Sequence, residues 1–75
     1  MASENIAQFA FLRGWKQLPN GEMKAVRAEI CAALGGVSLP TFYARLRGIP
    51  EPKVSEARAI EEIFKKRNIT DIWGE

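Results

Sequence analysis

The side chains of this chain that are best suited to contacts with a polyanionic partner lie in one short segment, 41–47. They are Thr41, Tyr43, Ala44, Arg45 and Arg47. Arginine reads guanine through O6 and N7, threonine and alanine methyl groups contact the thymine methyl, and hydroxyls suit phosphate oxygens. No acidic residue occurs between Glu29 and Glu51, so no carboxylate in that stretch would be repelled by a polyanion. The segment therefore has the chemistry expected of a surface that contacts duplex DNA.

A helix is predicted to carry these side chains. Phe42 and Leu46 follow Leu39 by three and seven residues, a spacing typical of a helix that buries one face. Ser38 is the expected N-cap, and Gly48 is the expected end of the helix. The face opposite the apolar residues is then free to meet a partner.

A second helix is predicted just before it, over 22–34, and the glycines at 35–36 end that helix. Two short helices joined by a tight turn, over about 22–47, predict a helix-turn-helix. In that motif the second helix enters a major groove about 12 Å wide. Arg27 on the first of these helices is expected on a solvated face, with a phosphate contact as its second interpretation.

The remaining elements predict an all-α, compact bundle of four to five helices. A first helix, capped by Ser3, is expected to reach about residue 17. Its apolar positions are Ile6, Phe9, Ala10, Phe11, Trp15 and Leu18. A fourth helix is expected to be capped by Ser55, without a capping box because Arg58 takes the third helical position. Its buried positions are Ala57, Ile60, Ile63 and Phe64.

The prolines at 50 and 52 predict a stiff extended connector before the fourth helix. Lys53 follows this connector and is a candidate phosphate contact. The basic residues 65–67 are expected at a solvated helix end, where cations favour the negative end of the dipole. The apolar tail is expected to dock, so that 55–75 forms a C-terminal helix and docking tail of a single domain, 1–75.

Composition restricts the function classes. The chain has 75 residues, no histidine and one cysteine, which excludes a Ser-His-Asp triad, a zinc finger and an intramolecular disulfide. Glu61 and Glu62 are expected on the helix face opposite Ile60 and Phe64, without the burial that a catalytic carboxyl pair needs. We expect no enzyme activity, no catalytic residue, no cofactor, no metal and no small-molecule substrate. The sequence has neither an apolar run of about 18 residues nor a signal peptide, which predicts a cytoplasmic protein without a membrane partner.

Charge is concentrated in the middle of the chain. Residues 13–47 hold six basic and two acidic residues, a net charge of +4, whereas the whole chain carries +2. A basic region in a nearly neutral domain is the pattern of a protein that presents one face to a polyanion. Lys53, Arg27 and the helix N-terminus at Ser38 are the expected phosphate contacts.

The segment 34–46, LGGVSLPTFYARL, resembles the L-G-[VI]-S-x-x-T-[LF]-Y-x-[KR]-L pattern of bacterial recognition units in Fis-like domains. The layout in which this segment is followed by Gly48, a proline-containing loop and a further helix is similar to the lambda-repressor and Cro-like family. The two resemblances cover about residues 22–69. They imply a small phage or mobile-element regulator that binds double-stranded DNA, usually as a dimer on a two-fold site. A repressor that occludes a promoter is the activity expected from this resemblance.

Several alternatives stay open from the sequence alone. Trp15 and Trp73 are either core aromatics or, with Ile72, parts of an exposed homodimer patch. Tyr43 either packs against the fourth helix or reaches a phosphate, and Thr41 is either a first-turn helix residue or a contact. Leu39 and Pro40 supply no base hydrogen bonds. They favour the alternative function, a protein–protein interaction module that has the helix-turn-helix shape without binding DNA.

Overall fold

Residues 9–75 are described in the structure, a computed structural model, and they form four helices and no strand. The helices are α1 (Leu12–Lys16), α2 (Asn20–Ala33), α3 (Leu39–Leu46) and α4 (Val54–Lys65). The all-α prediction is confirmed. No helix within this range is long and apolar enough to span a membrane.

The core is built around three phenylalanines from distant parts of the chain. Phe11, Phe42 and Phe64 are almost fully buried, and Phe11 lies 5.8 Å from Phe42 and 6.4 Å from Phe64 between ring centroids. α2 contributes Val26 and Ile30 to the same cluster. Aromatic rings at these distances and tilts gain about 0.5–1.5 kcal/mol per pair beyond their burial. Two of the three apolar residues predicted to form the buried face of α3, Phe42 and Leu46, are therefore buried in the core. The prediction is wrong for Leu39, which is 50% exposed because it lies in the first turn, at the edge of the contact with the core.

The turn between α2 and α3 follows the sequence prediction closely. Gly35 and Gly36 have φ values of +94° and +81°, a conformation that favours glycine. The Gly36 N–H donates to the Cys31 carbonyl at 2.8 Å, and the Gly35 N–H donates to the Ala32 carbonyl at 3.1 Å. This pair of hydrogen bonds is the Schellman motif, which satisfies the last carbonyls of α2. Val37 then packs against the core as the apolar residue that follows this turn.

α3 begins directly after this turn, and Ser38 is its N-cap as predicted. The Ser38 hydroxyl accepts from the Thr41 N–H at 3.5 Å, while the Ser38 carbonyl accepts from the Phe42 N–H at 2.9 Å. Pro40 occupies the first turn, where its missing N–H costs nothing. α3 ends before Gly48, which has a φ of +89°. The connector 49–52 is not helical, as predicted.

Two helix starts differ from the prediction. α2 begins at Asn20, two residues before the expected start, because the Pro19 carbonyl already accepts from the Glu22 N–H at 2.9 Å. The expectation that Ser55 caps the fourth helix is wrong, since α4 begins at Val54 with Lys53 as its N-cap. This shift puts Glu56 in the third helical position. There its carboxylate accepts from the Lys53 N–H at 2.9 Å, as the third helical residue does in a capping box. The prediction that the fourth helix has no acidic residue at this position is therefore also wrong.

The prediction of a long first helix is wrong within the described residues. Ser3 and Ile6 lie outside them, and 9–11 are not helical. A continuous helix would bond the Gly14 N–H to the Ala10 carbonyl. Instead Gly14 donates to the Ile72 carbonyl at 3.0 Å, and the Ala10 carbonyl accepts from the Gly74 N–H at 2.7 Å. The docked tail thus occupies the N–H and carbonyl groups that would otherwise bond to each other in a longer α1.

Docking of the tail is confirmed by its burial. Ile69 and Ile72 belong to the core, and Ile72 is only 3% exposed. The Arg13 N–H donates to the Gly74 carbonyl at 2.9 Å, so the tail satisfies two first-turn N–H groups of α1. Ile72 is therefore not part of an exposed dimer patch, and that expectation is wrong.

Both tryptophans pack against the core, which agrees with the first of their two interpretations. Trp15 meets Phe42 edge-on at 5.3 Å between ring centroids. Trp73 meets Phe11 at 6.4 Å, and its indole N–H donates to Glu61 at 2.8 Å. Each ring keeps part of its surface exposed.

The basic residues 65–67 divide into two kinds. Lys65 and Lys66 are exposed, as predicted. Arg67 is not solvated, because its side chain is 17% exposed and its Nη2 lies 2.7 Å from Glu29. Its Nε lies 3.3 Å from Glu22. Arg67 therefore joins the end of α4 to α2.

Gly14 is the residue that permits the close approach of tail and α1. A Cβ atom at this position would lie 3.1 Å from Ile72 Cγ2 and 3.2 Å from Ile72 Cα. We expect Gly14→Ala to lower the free energy of unfolding by about 1–3 kcal/mol, because the tail backbone must shift. Urea denaturation followed by circular dichroism measures this.

The matched control is Gly21→Ala in the first turn of α2, where an added Cβ meets nothing within 4 Å. This variant should be unchanged or more stable by up to about 1 kcal/mol. Equal stability of the two alanine variants would contradict the role assigned to Gly14.

Candidate functional site

α3 presents a polar surface on the side away from the core. Phe42 and Leu46 point inward, so helical geometry turns Thr41, Ala44 and Arg47 outward. Tyr43 lies at the border of this face and is also exposed. We call Thr41, Tyr43, Ala44 and Arg47 the α3 outer surface. Of these, only Ala44 is half-buried.

The N-terminal edge of this surface carries two hydroxyls that bond to each other. The Ser38 hydroxyl donates to Thr41 Oγ1 at 3.1 Å, and both residues are exposed. The positive end of the α3 dipole lies at the same edge. Thr41 is thus a first-turn residue that also remains accessible to a partner.

Arg27 and Tyr43, two of the residues selected from the sequence, meet across α2 and α3. Arg27 Nη1 donates to the Tyr43 hydroxyl at 3.2 Å. The Tyr43 ring packs edge-on against Phe42, with centroids 5.2 Å apart. Arg27 remains partly exposed to solvent beside Tyr43. A cation and a hydroxyl are consequently held side by side next to the α3 outer surface.

Arg45 does not lie on the exposed face of α3, where the sequence pattern predicts it. Its side chain is 16% exposed, as is that of Glu56 on α4. Its Nη1 and Nη2 donate to the two carboxylate oxygens of Glu56 at 3.0 and 3.4 Å. This two-pronged geometry is the strong form of an arginine–carboxylate pair. Arg45 is thereby directed toward α4 and away from the outer surface.

Glu56 is the site residue that sequence reasoning missed. Its carboxylate accepts both from Arg45 and from the backbone N–H of Lys53, and so joins α3 to the start of α4. The Lys53 N–H, and after it the Arg45 guanidinium, lower the pKa of Glu56 below its ordinary value of 4.5. The signal in the sequence was the three-residue spacing from Lys53 to Glu56, once the helix start is placed at Val54.

Lys53 is exposed and its backbone is held by Glu56. It lies at the N-cap of α4, just beyond the connector that leaves α3. Arg47, at the C-cap of α3, is exposed as well. These two cations flank Gly48 and the connector 49–52.

A second feature is a groove of about 450 Å³ beside the connector and the start of α4. Its lining comprises Phe9, Glu51, Pro52, Val54, Ala57, Arg58, Glu61 and Trp73. Val54 is 71% exposed there. Within residues 9–75, no group of three or more His, Cys, Asp or Glu side chains could hold a metal ion.

Comparisons of this chain with protein-family models, with curated proteins and with solved structures found no match. Function must therefore be inferred from the side chains themselves. Of the residues selected from the sequence, Ser38, Thr41, Tyr43, Ala44 and Arg47 share one surface of the molecule, with Arg27 beside it. Lys53 follows across the connector, and Arg45 is held apart from them by Glu56.

The ion pair makes stability depend on pH in a defined direction. The lowered pKa means that Glu56 stabilises the folded state above its ordinary pKa, and that this contribution is lost as pH falls through the folded value. Glu56→Gln keeps an oxygen for the Lys53 N–H but removes the charge. We expect it to be less stable than the parent protein at about pH 7, and this difference to shrink by about pH 2.5. Urea unfolding at the two pH values measures it, and an equal difference at both would show that the pair does not stabilise the fold.

Proposed function

We propose that this chain is a sequence-specific regulator that binds double-stranded DNA, with α2 and α3 as its helix-turn-helix. The observation that carries the proposal is the orientation of α3. Phe42 and Leu46 hold one side of it in the core, while Thr41, Ala44 and Arg47 project from the other. A short helix held in this way is the element that enters a major groove in such motifs.

The proposed contacts divide by chemistry. Arg47 is suited to a guanine edge or a phosphate, and the Thr41 and Ala44 methyl groups are suited to thymine. The Arg27–Tyr43 pair offers a cation and a hydroxyl to a phosphate, and Lys53 offers a second cation. Ser38 orders the first turn of α3, whose amide groups favour an anion. In this assignment Arg45 positions α3 through Glu56 rather than reading a base.

The resemblance of 34–46 to bacterial recognition units extends the proposal to repression. A domain that covers promoter DNA would block access to it by occupancy. Two copies on a two-fold site would double the number of bases read, as is usual for such motifs. Because Trp15 and Trp73 each keep part of their surface exposed, a homodimer interface near either ring belongs to the same proposal. We also propose a cytoplasmic location and no enzyme activity.

One observation favours a second candidate function, a protein–protein interaction module. The groove beside Trp73 has apolar walls from Phe9, Pro52 and Val54. Leu39, at the start of α3, is exposed and offers no hydrogen bond to a base. A partner with an apolar side chain would fit such a surface. The DNA experiment below separates the two candidates.

We expect Arg47→Ala and Lys53→Ala to weaken binding to duplex DNA. Removing one cation that binds a phosphate should reduce the slope of log K against log salt by about 0.9. Lys53→Ala should weaken all sequences alike, whereas loss of a base contact at Arg47 should cost about 1–3 kcal/mol on the preferred site and relax its sequence preference. Fluorescence anisotropy at several salt concentrations, with a random-sequence duplex pool and sequencing of the bound fraction, measures both effects.

Lys66→Ala is the matched control, because it removes the same charge from the other end of α4, about 20 Å along the helix. Its binding should match that of the parent protein. If all three variants lose affinity equally, the interaction is a general charge effect. If the parent protein does not bind duplex DNA at low salt, the interaction module becomes the better proposal.

A further inference from the structure

The ion pair between Arg45 and Glu56 lies one helical turn from the α3 outer surface. Thr41 and Arg45 are i and i+4 neighbours on α3, so their side chains project along the same side of the helix. Thr41 is exposed, whereas Arg45 turns toward Glu56 on α4. An arginine at this position would lie next to a DNA backbone that contacts Thr41 if its side chain were released.

The pair is not fully satisfied. Arg45 Nε is buried and has no hydrogen-bond partner among residues 9–75, although both Nη atoms bond to Glu56. A buried N–H donor without a hydrogen bond costs free energy, and this cost offsets part of the stabilisation that the ion pair provides. The unbonded Nε–H would be available to a phosphate oxygen once Glu56 no longer holds the guanidinium.

Release of Arg45 does not dismantle the start of α4. Glu56 Oε1 also accepts from the Lys53 N–H at 2.9 Å, and this bond is independent of Arg45. The N-terminal turn of α4 thus keeps a carboxylate partner, which is also favoured by the helix dipole. Loss of the Arg45–Glu56 contact thus leaves this capping bond of α4 available.

We infer that Glu56 masks Arg45, withholding from the DNA interface a cation that would otherwise bind a phosphate. This inference rests on the proposed DNA binding. Paired with Glu56, Arg45 adds no net charge to the site and releases no counterion from DNA. Freed from Glu56, it adds one phosphate contact. Glu56 therefore limits affinity and keeps binding dependent on Arg47 and the bases that it reads.

The test compares DNA binding by the parent protein, Glu56→Gln and the double variant Arg45→Ala/Glu56→Gln. Glu56→Gln should bind random duplex roughly three- to tenfold more tightly near 0.1 M salt, with a log–log salt slope steeper by about 0.9. The double variant should lose this gain. A merely structural role for the pair predicts instead that Glu56→Gln binds no better than the parent protein.

Glu62→Gln is the matched control, because it removes the same charge from an exposed position on α4. An equal gain in this control, or a gain that persists in the double variant, would overturn the inference by assigning the effect to net charge. If the parent protein binds DNA and Glu56→Gln binds no better, only masking fails. If no variant binds DNA, the proposed function fails with it.

A second measurement uses the unaltered protein and so does not depend on the variants being folded. The side-chain N–H signals of the arginines can be followed by NMR as duplex DNA is added. Masking predicts that the Arg47 signal shifts while the Arg45 signal stays in place. A shift of Arg45 in the parent complex equal to that of Arg47 would overturn the inference.

Discussion

The burial of Phe42 is the constraint on which the rest of the structure depends. Its ring lies against Phe11 and Trp15 and is wholly removed from solvent. Because this side chain can point in only one direction, the rotation of α3 about its axis is determined. The composition of the α3 outer surface follows from that rotation, since Thr41 and Arg47 project outward only while Phe42 projects inward.

Short-range signals in the sequence were enough to predict the central part of the fold. The glycine turn after α2, the Ser38 cap and the buried face of α3 each depend on residues only a few positions apart. The same holds for the buried face of α4 and for the connector before it. These elements placed Thr41 and Arg47 on an exposed helix face, and the structure has them there.

Apart from the starts of α2 and α4, the features that sequence reasoning missed join residues far apart in the chain. Arg67 pairs with Glu29 across 38 positions, and Arg13 bonds to Asp71 across 58. The Arg45–Glu56 pair spans a connector whose geometry a local pattern does not contain. Three interpretations changed because of such long-range contacts: Arg67 is not solvated, Arg45 is not exposed and α1 is short. Apolar spacing predicts which face of a helix is buried, but it does not predict which carboxylate a cation will meet.

The contact between α1 and the tail has a consequence for how the chain is made. α1 has five residues, too few to persist alone, and two of its first-turn N–H groups bond to carbonyls near residue 74. On the ribosome, α1 cannot form these two hydrogen bonds before residues 72–74 have emerged. Until then Phe11 lacks Trp73 as a neighbour, and α2–α4 must assemble around an unfinished core. The nascent chain thus exposes apolar surface around Phe11 until the tail docks.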